Sequence, residues 1–132
     1  MTETTLNKWD KAISRLIELT QDGNINWKVI IAEDYLPTVD SNGAMLMALY
    51  EGKQLLLFKD VFIQKSGSFI DQFSGSAIEK KEYRPCLCIY DLPSRTILFK
   101  FPYSILISDL YKAATYFAAN VDDFLNKLID KN

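Results

Sequence analysis

Cys86 and Cys88 are the only thiols in this chain, and no histidine stands anywhere to activate them. Without histidine there is no Ser-His or Cys-His nucleophile pair, no imidazole acid or base and no His-ligated zinc. Two cysteines do not complete a four-cysteine zinc or iron–sulfur site. Redox pairs favour Cys-x-x-Cys at a helix start. As i, i+2 neighbours on a strand, Cys86 and Cys88 would stand about 6.6 Å apart with parallel Cβ vectors, which suits a disulfide poorly. Reduced thiols packed in the core are the expected state. The carboxylates offer little more. Asp40-Ser41-Asn42-Gly43 with Glu51 fails as a calcium loop, because its glycine stands fourth where the sixth is needed, and Ala44 and Met45 follow. Glu79-Lys80-Lys81, with Asp60 or Asp71 upstream, holds the groups a metal-assisted hydrolase needs: carboxylates for Mg²⁺ and a lysine to polarise water. That triplet falls in a predicted polar connection, where charged residues are ordinarily solvated. Asp122 and Asp123 would point about 100° apart on a helix and so do not converge. Gly67 and Gly75 are too far apart for a phosphate loop, and Gly52-Lys53 reads as a turn. No catalytic, cofactor-binding or metal-binding residue is assigned, and no cofactor is expected.

The elements that would position these groups are set by hydrophobic period. Leu6, Trp9, Ile13, Leu16, Ile17 and Thr20 make a helical stripe, so residues 4–21 are predicted as an amphipathic helix ended by Asp22-Gly23. The period then drops to two: Ile25, Trp27, Val29 and Ile31 predict a half-buried strand. Residues 33–43 carry acids, Pro37 and Gly43 and are predicted as an exposed connection. Ala44 to Tyr50, a turn at 51–53, and Gln54 to Ile63 predict a hairpin, and Arg84 to Tyr90 with Arg95 to Phe101 predict a second. Between them, residues 64–82 mix two Gly-Ser islands with Phe69, Ile70, Phe73 and Ile78. Finally Leu110, Tyr111, Ala114, Phe117, Ala118, Val121, Phe124, Leu125, Leu128 and Ile129 predict one long helix, N-capped by Ser108, lying across the sheet. The fold expected is α+β: a five-stranded antiparallel, meander-like sheet flanked by an N-terminal and a long C-terminal amphipathic helix, in a single domain over 1–132.

Leu55, Leu57, Val61 and Ile63 point to one face of the third strand, and Leu56, Phe58 and Phe62 to the other. Both faces are therefore apolar. Two helices cover one face, and the second must meet the long connections, a partner protein or another copy of the chain. A protein partner or homodimer is the expectation, with Tyr35, Phe69, Ile70, Phe73 and Tyr116 as the interaction surface. A small-molecule ligand, held between sheet and last helix near Tyr111, Tyr116, Tyr35 or Phe69, stays open.

With 15 Lys+Arg against 17 Asp+Glu the net charge is −2, so no overall positive field attracts nucleic acid. No run of apolar residues is long enough to span a membrane, and the first residues, Met1 to Asp10, lack the features of a signal peptide. A cytoplasmic protein is expected. The run Leu16-Ile17-Glu18-Leu19-Thr20-Gln21-Asp22-Gly23-Asn24-Ile25-Asn26-Trp27 resembles the L-x-x-L-T-x-x-G-x-I-x-W opening of small uncharacterised bacterial α+β proteins. Phe101-Pro102-Tyr103-Ser104, Ser108-Asp109-Leu110-Tyr111 and Asn120-Val121-Asp122 resemble their close. That resemblance implies a fold and no activity. The element order and acidity resemble type III secretion chaperones, which implies a small dimeric protein-binding module. The Asp…Glu-x-Lys pattern resembles the metal-dependent nuclease superfamily, which would implicate Asp60, Asp71, Glu79 and Lys81. The expected function is a non-catalytic interaction module: an adaptor, an immunity-type inhibitor or a secretion-chaperone-like protein. A small-molecule sensor or sponge is the second reading, and a nuclease-like hydrolase the third.

Overall fold

The computed structural model describes residues 7–36, 41–66 and 78–130, with side chains left aside at 62–66 and 78–81. Its elements run α1 (Lys8–Gln21), β1 (Lys28–Ile30), α2 (Ala32–Tyr35), β2 (Ser41–Tyr50), β3 (Lys53–Ser66), β4 (Ile78–Asp91), β5 (Thr96–Lys100), α3 (Ile105–Ala118) and α4 (Val121–Asp130). The strands form one antiparallel sheet in the order β1-β2-β3-β4-β5. The α+β meander expected from hydrophobic period is the fold observed.

Helix α1 begins at Lys8, not residue 4, because Asn7 is extended and its side chain accepts the Asp10 N–H at 2.8 Å. At its other end Gly23, at φ +79°, donates to the Thr20 carbonyl while Asn24 donates to that of Leu19. This is the paired 5→2, 6→1 ending that requires a left-handed residue after the cap. It turns the chain so that Ile25 and Trp27 drop back beneath the helix, both buried. Thr20, fully buried, joins the two elements: the Trp27 indole N–H donates to its hydroxyl at 2.9 Å, and that hydroxyl donates to the Leu16 carbonyl at 2.8 Å. The T-x-x-G-x-I-x-W pattern is thus one local device comprising a buried relay, a left-handed turn and two core anchors.

The first strand is shorter than its alternation predicts. Only Lys28–Ile30 pair with β2, and Val29 and Ile31, expected inward, are 62% and 64% exposed. Ile25 and Trp27 reach the core from a non-paired approach, so the alternating set spans two structural contexts. The expected connection after it contains the short helix α2, and β2 starts at Ser41, three residues earlier than expected. Gly43, at φ +82°, lies where the β2–β3 register shifts between Asn42 and Leu46. The β2–β3 turn has Glu51 at φ +50° and Gly52 at φ +78°, the two left-handed residues of a tight hairpin turn whose twist matches the strands.

The β3–β4 pairing extends well past the predicted hairpin ends, to Ser66 opposite Ile78. Glu79-Lys80-Lys81 therefore lies on a strand and not in a connection. The expected connection over 64–82 is paired at both ends, and its centre lies outside the described residues.

Leu46, Ala48, Leu55, Leu57 and Leu87 project to one face of the sheet, where Ile13, Leu16 and Leu19 of α1 and Ile107, Leu110, Tyr111 and Ala114 of α3 close over them. On the other face Met45, Leu56, Phe58, Cys86, Cys88 and Tyr90 form a second apolar cluster with Leu36, packed by Ala32 and Tyr35 of α2. Both faces are apolar, as the strand pattern predicts. The centre of the second face is closed, however: Met45, Leu56, Phe58, Cys88 and Tyr90 are each at most 2% exposed.

The C-terminal stripe is not one helix. Ser104, not Ser108, is the N-cap, accepting the Leu106 N–H at 3.0 Å, because Ile107 extends the buried stripe one turn further back. After Ala118 the chain leaves helical geometry. Asn120 adopts φ +58°, the left-handed conformation that asparagine tolerates better than other side-chain-bearing residues, and its carbonyl accepts the Phe124 N–H to start α4. The bend takes the chain from Phe124 to Asp130 off the sheet.

Candidate functional site

Two places in the fold gather side chains that packing alone does not account for. The first is α4. Val121, Phe124, Leu125, Leu128 and Ile129 recur at helical spacing, yet no residue of α4 is buried. Phe124, Leu128 and Ile129 are 60%, 54% and 75% exposed. An amphipathic helix of ten residues is marginal by itself and ordinarily draws its stability from packing its apolar face. Helix α4 is tied to α3 by the Tyr116 hydroxyl, which donates to the Asp122 carboxylate, while within α3 the Tyr116 ring meets that of Phe117 edge-on at 5.4 Å. That hydrogen bond to a carboxylate raises the Tyr116 phenol above its ordinary pKa. Asp123 and Lys127 pair at 3.1 Å along the polar side.

The second place is a polar corner at the far end of the second-face cluster. Cys86 lies opposite Phe58, and Cys88 lies between Leu56 on β3 and Lys100 on β5. The two sulfurs are 3.4 Å apart, within thiol hydrogen-bond distance and closer than parallel Cβ vectors on a strand suggest. Lys100 reaches from β5 across β4 to Asp60 on β3, Nζ to Oδ2 2.9 Å, so the ion pair passes over the Cys86 position. Arg84, beside them, lies over the Tyr103 ring at 4.3 Å. Asp60, Arg84, Cys86, Lys100 and Tyr103 line a cavity of about 380 Å³. The Cys88 hydrogen bond, and then the Lys100 charge, hold the Cys86 thiol below its ordinary pKa against the opposing effect of burial. Cys88 is pushed far up, first by the same hydrogen bond to Cys86 and then by burial. Lys100 is raised by its bond to Asp60.

Of the residues expected to form an interaction surface, the two described ones, Tyr35 and Tyr116, are not brought together. Tyr35 packs with the second-face cluster, its ring 6.0 Å from that of Tyr90 and its carbonyl accepting the Tyr90 hydroxyl at 2.7 Å. Tyr116 stands on α3, over the opposite face. Phe69, Ile70 and Phe73 lie outside the described residues. Tyr111, expected beside a ligand, is buried and donates to the Ala44 carbonyl at 2.6 Å, so it is a packing residue.

Of the residues expected for a hydrolase, Asp60 and Glu79 stand apart in the β3–β4 register. Asp60 lies opposite Arg84 and Glu79 opposite Lys65, which separates the two backbone positions by five residues of strand, roughly 17 Å. Asp71 lies outside the described residues. Among the described residues no group of three or more His, Cys, Asp or Glu side chains could hold a metal ion.

The α4 face was hidden in the sequence because its stripe is continuous with that of α3. The only mark of the break is Asn120, next to Ala119. The polar corner was hidden because Lys100 and Asp60 are forty residues apart. No family model, curated protein or solved structure matches this chain. Among the described residues no helix is long and apolar enough to cross a membrane.

Proposed function

We propose that this protein is a non-catalytic interaction module that docks α4 into an apolar groove of a different, basic-rimmed protein. The observation that carries this reading is the apolar face of α4, presented at i, i+3, i+4, i+7 and i+8 by Val121, Phe124, Leu125, Leu128 and Ile129, with three of these more than half exposed. That spacing is the one by which an amphipathic helix seats in a groove. Charge selects the occupant. The helix carries Asp122, Asp123 and Asp130 against Lys127 alone. A second copy would bring acid against acid, whereas lysines or arginines around a groove would complement it. The closed centre of the second sheet face removes the reason for pairing two chains there.

Site-specific photo-crosslinking in the native host tests this reading, with a photoreactive phenylalanine analogue at Phe124 and, as control, at Tyr35. Crosslinks from position 124 should reach one protein, within an apolar groove flanked by Lys or Arg, and should vanish with Leu128→Asp. Crosslinks only to another copy of this chain, or crosslinks unchanged by Leu128→Asp, would overturn it.

A further inference from the structure

A second site on this chain needs no partner protein. We propose that Cys86 and Cys88 form a reactive dithiol that is oxidised by small disulfides of the glutathione class, Cys86 as the attacking sulfur and Cys88 as the resolving one.

Three observations carry the assignment. The sulfurs stand 3.4 Å apart on adjacent same-face positions of β4, so one can reach the other after the first has reacted. They differ in environment: Cys88 is fully buried, while Cys86 is 8% exposed and lines the 380 Å³ cavity at the sheet end. An incoming disulfide therefore meets Cys86 first. Lys100 and Arg84 stand at that cavity, with Asp60 as the counter-charge. A cation beside a partly accessible thiol favours its thiolate, the form that attacks. The lowered Cys86 and raised Cys88 agree with this division of roles.

The chemistry balances as two exchanges. The Cys86 thiolate attacks one sulfur of the disulfide; a bond forms from Cys86 Sγ to that sulfur, the original S–S bond breaks, and one small thiolate leaves. Cys88 gives its proton to that thiolate and attacks Cys86 Sγ, and the second small thiolate departs. The protein dithiol is oxidised to a disulfide, and the small disulfide is reduced to two thiols. Closing the bond draws together positions that an extended strand holds about 6.6 Å apart, near the outer limit for a disulfide, so the product belongs with the readily reduced kind. The ion pair of Lys100 and Asp60 passes over Cys86 with Lys100 half exposed, and such a pair opens at small cost.

The test uses the full chain, native and reduced, with 2,2′-dithiodipyridine, whose exchange releases a chromophoric thione. The wild type should release two thiones per chain and end lighter by two hydrogens, with no adduct. Cys88→Ala should release one and retain a mixed-disulfide adduct. Cys86→Ala should react at least about tenfold more slowly, because the remaining thiol, Cys88, is fully buried and does not line the cavity, and a buried thiol in apolar surroundings is inert. If a cysteine variant does not fold, Lys100→Met on the exposed rim should slow the first release, and Asp60→Asn should speed it. Release no faster than global unfolding, two retained adducts on the wild type, a Cys86→Ala rate equal to wild type, or a first release indifferent to Lys100→Met would each overturn the proposal.

Discussion

Thr20→Val removes one oxygen from the centre of the molecule and leaves the packing volume nearly unchanged. Thr20 is fully buried, and its hydroxyl both accepts from the Trp27 indole and donates to the Leu16 carbonyl. The Leu16 carbonyl lies mid-helix, where the backbone ladder serves it, so losing that second bond costs little. The indole N–H has no such reserve. Trp27 is 6% exposed, and a buried donor left without its partner costs about 1–3 kcal/mol. In a Trp27→Phe background the donor is already gone, and the same Thr20→Val change should then be close to neutral. The cycle should return a coupling of about 1 kcal/mol or more between the two positions. Urea unfolding followed by far-ultraviolet circular dichroism measures it. With a slope of about 1–3 kcal/mol per molar, the single Thr20→Val change should lower the midpoint by several tenths of a molar or more, with the slope unchanged. If Thr20→Val costs as much in the Trp27→Phe background as in the wild type, the relay is not what Thr20 contributes, and the account of the T-x-x-G-x-I-x-W device is wrong.

Gly43→Ala should destabilise by about 1–3 kcal/mol, since it forces a side chain into the left-handed region; its Cβ would also meet the Tyr111 hydroxyl at 3.1 Å. Thermal unfolding of Gly43→Ala with and without Tyr111→Phe checks this, the second change relieving part of the loss. Burial raises the phenols of Tyr90 and Tyr111 above their ordinary value of 10.0. Their contribution to stability is therefore fully present below pH 10 and is lost as the pH rises from there through their folded values, because only the unfolded chain releases the proton. Denaturant midpoints should fall above pH 10, and the Tyr90→Phe/Tyr111→Phe protein should lose less over that interval than the wild type.

Some elements were legible because a local rule suffices to write them. The helix stripe from Trp9 to Thr20, the Gly23 stop, the alternation from Leu55 to Phe58 and the turns at Glu51-Gly52 and Asp91 to Ser94 each depend on residues a few places apart. Side-chain period and the conformational freedom of glycine act at that range. From them follow the α+β meander and the two apolar sheet faces. Ends of elements were less legible. The β3–β4 pairing out to Ser66 and Ile78 is a long-range ladder that composition does not announce, and Val29 and Ile31 continue an alternation after the core that justified it has ended.

What the amino-acid order by itself determined is therefore the kind of each element and the chemistry excluded by the lack of histidine. Tertiary structure alone decided where those elements stop and which distant side chains meet. The stripe from Leu110 to Ile129 runs without interruption in one dimension, but a single left-handed residue at Asn120 rotates its second half away from the sheet. Tyr35 and Tyr116 fell on opposite faces, and Asp60 and Glu79 on distant rungs. Lys100 came to lie over Cys86 because an antiparallel register, set cooperatively by the whole ladder, places residues by their partners across the sheet and not by their separation along the chain.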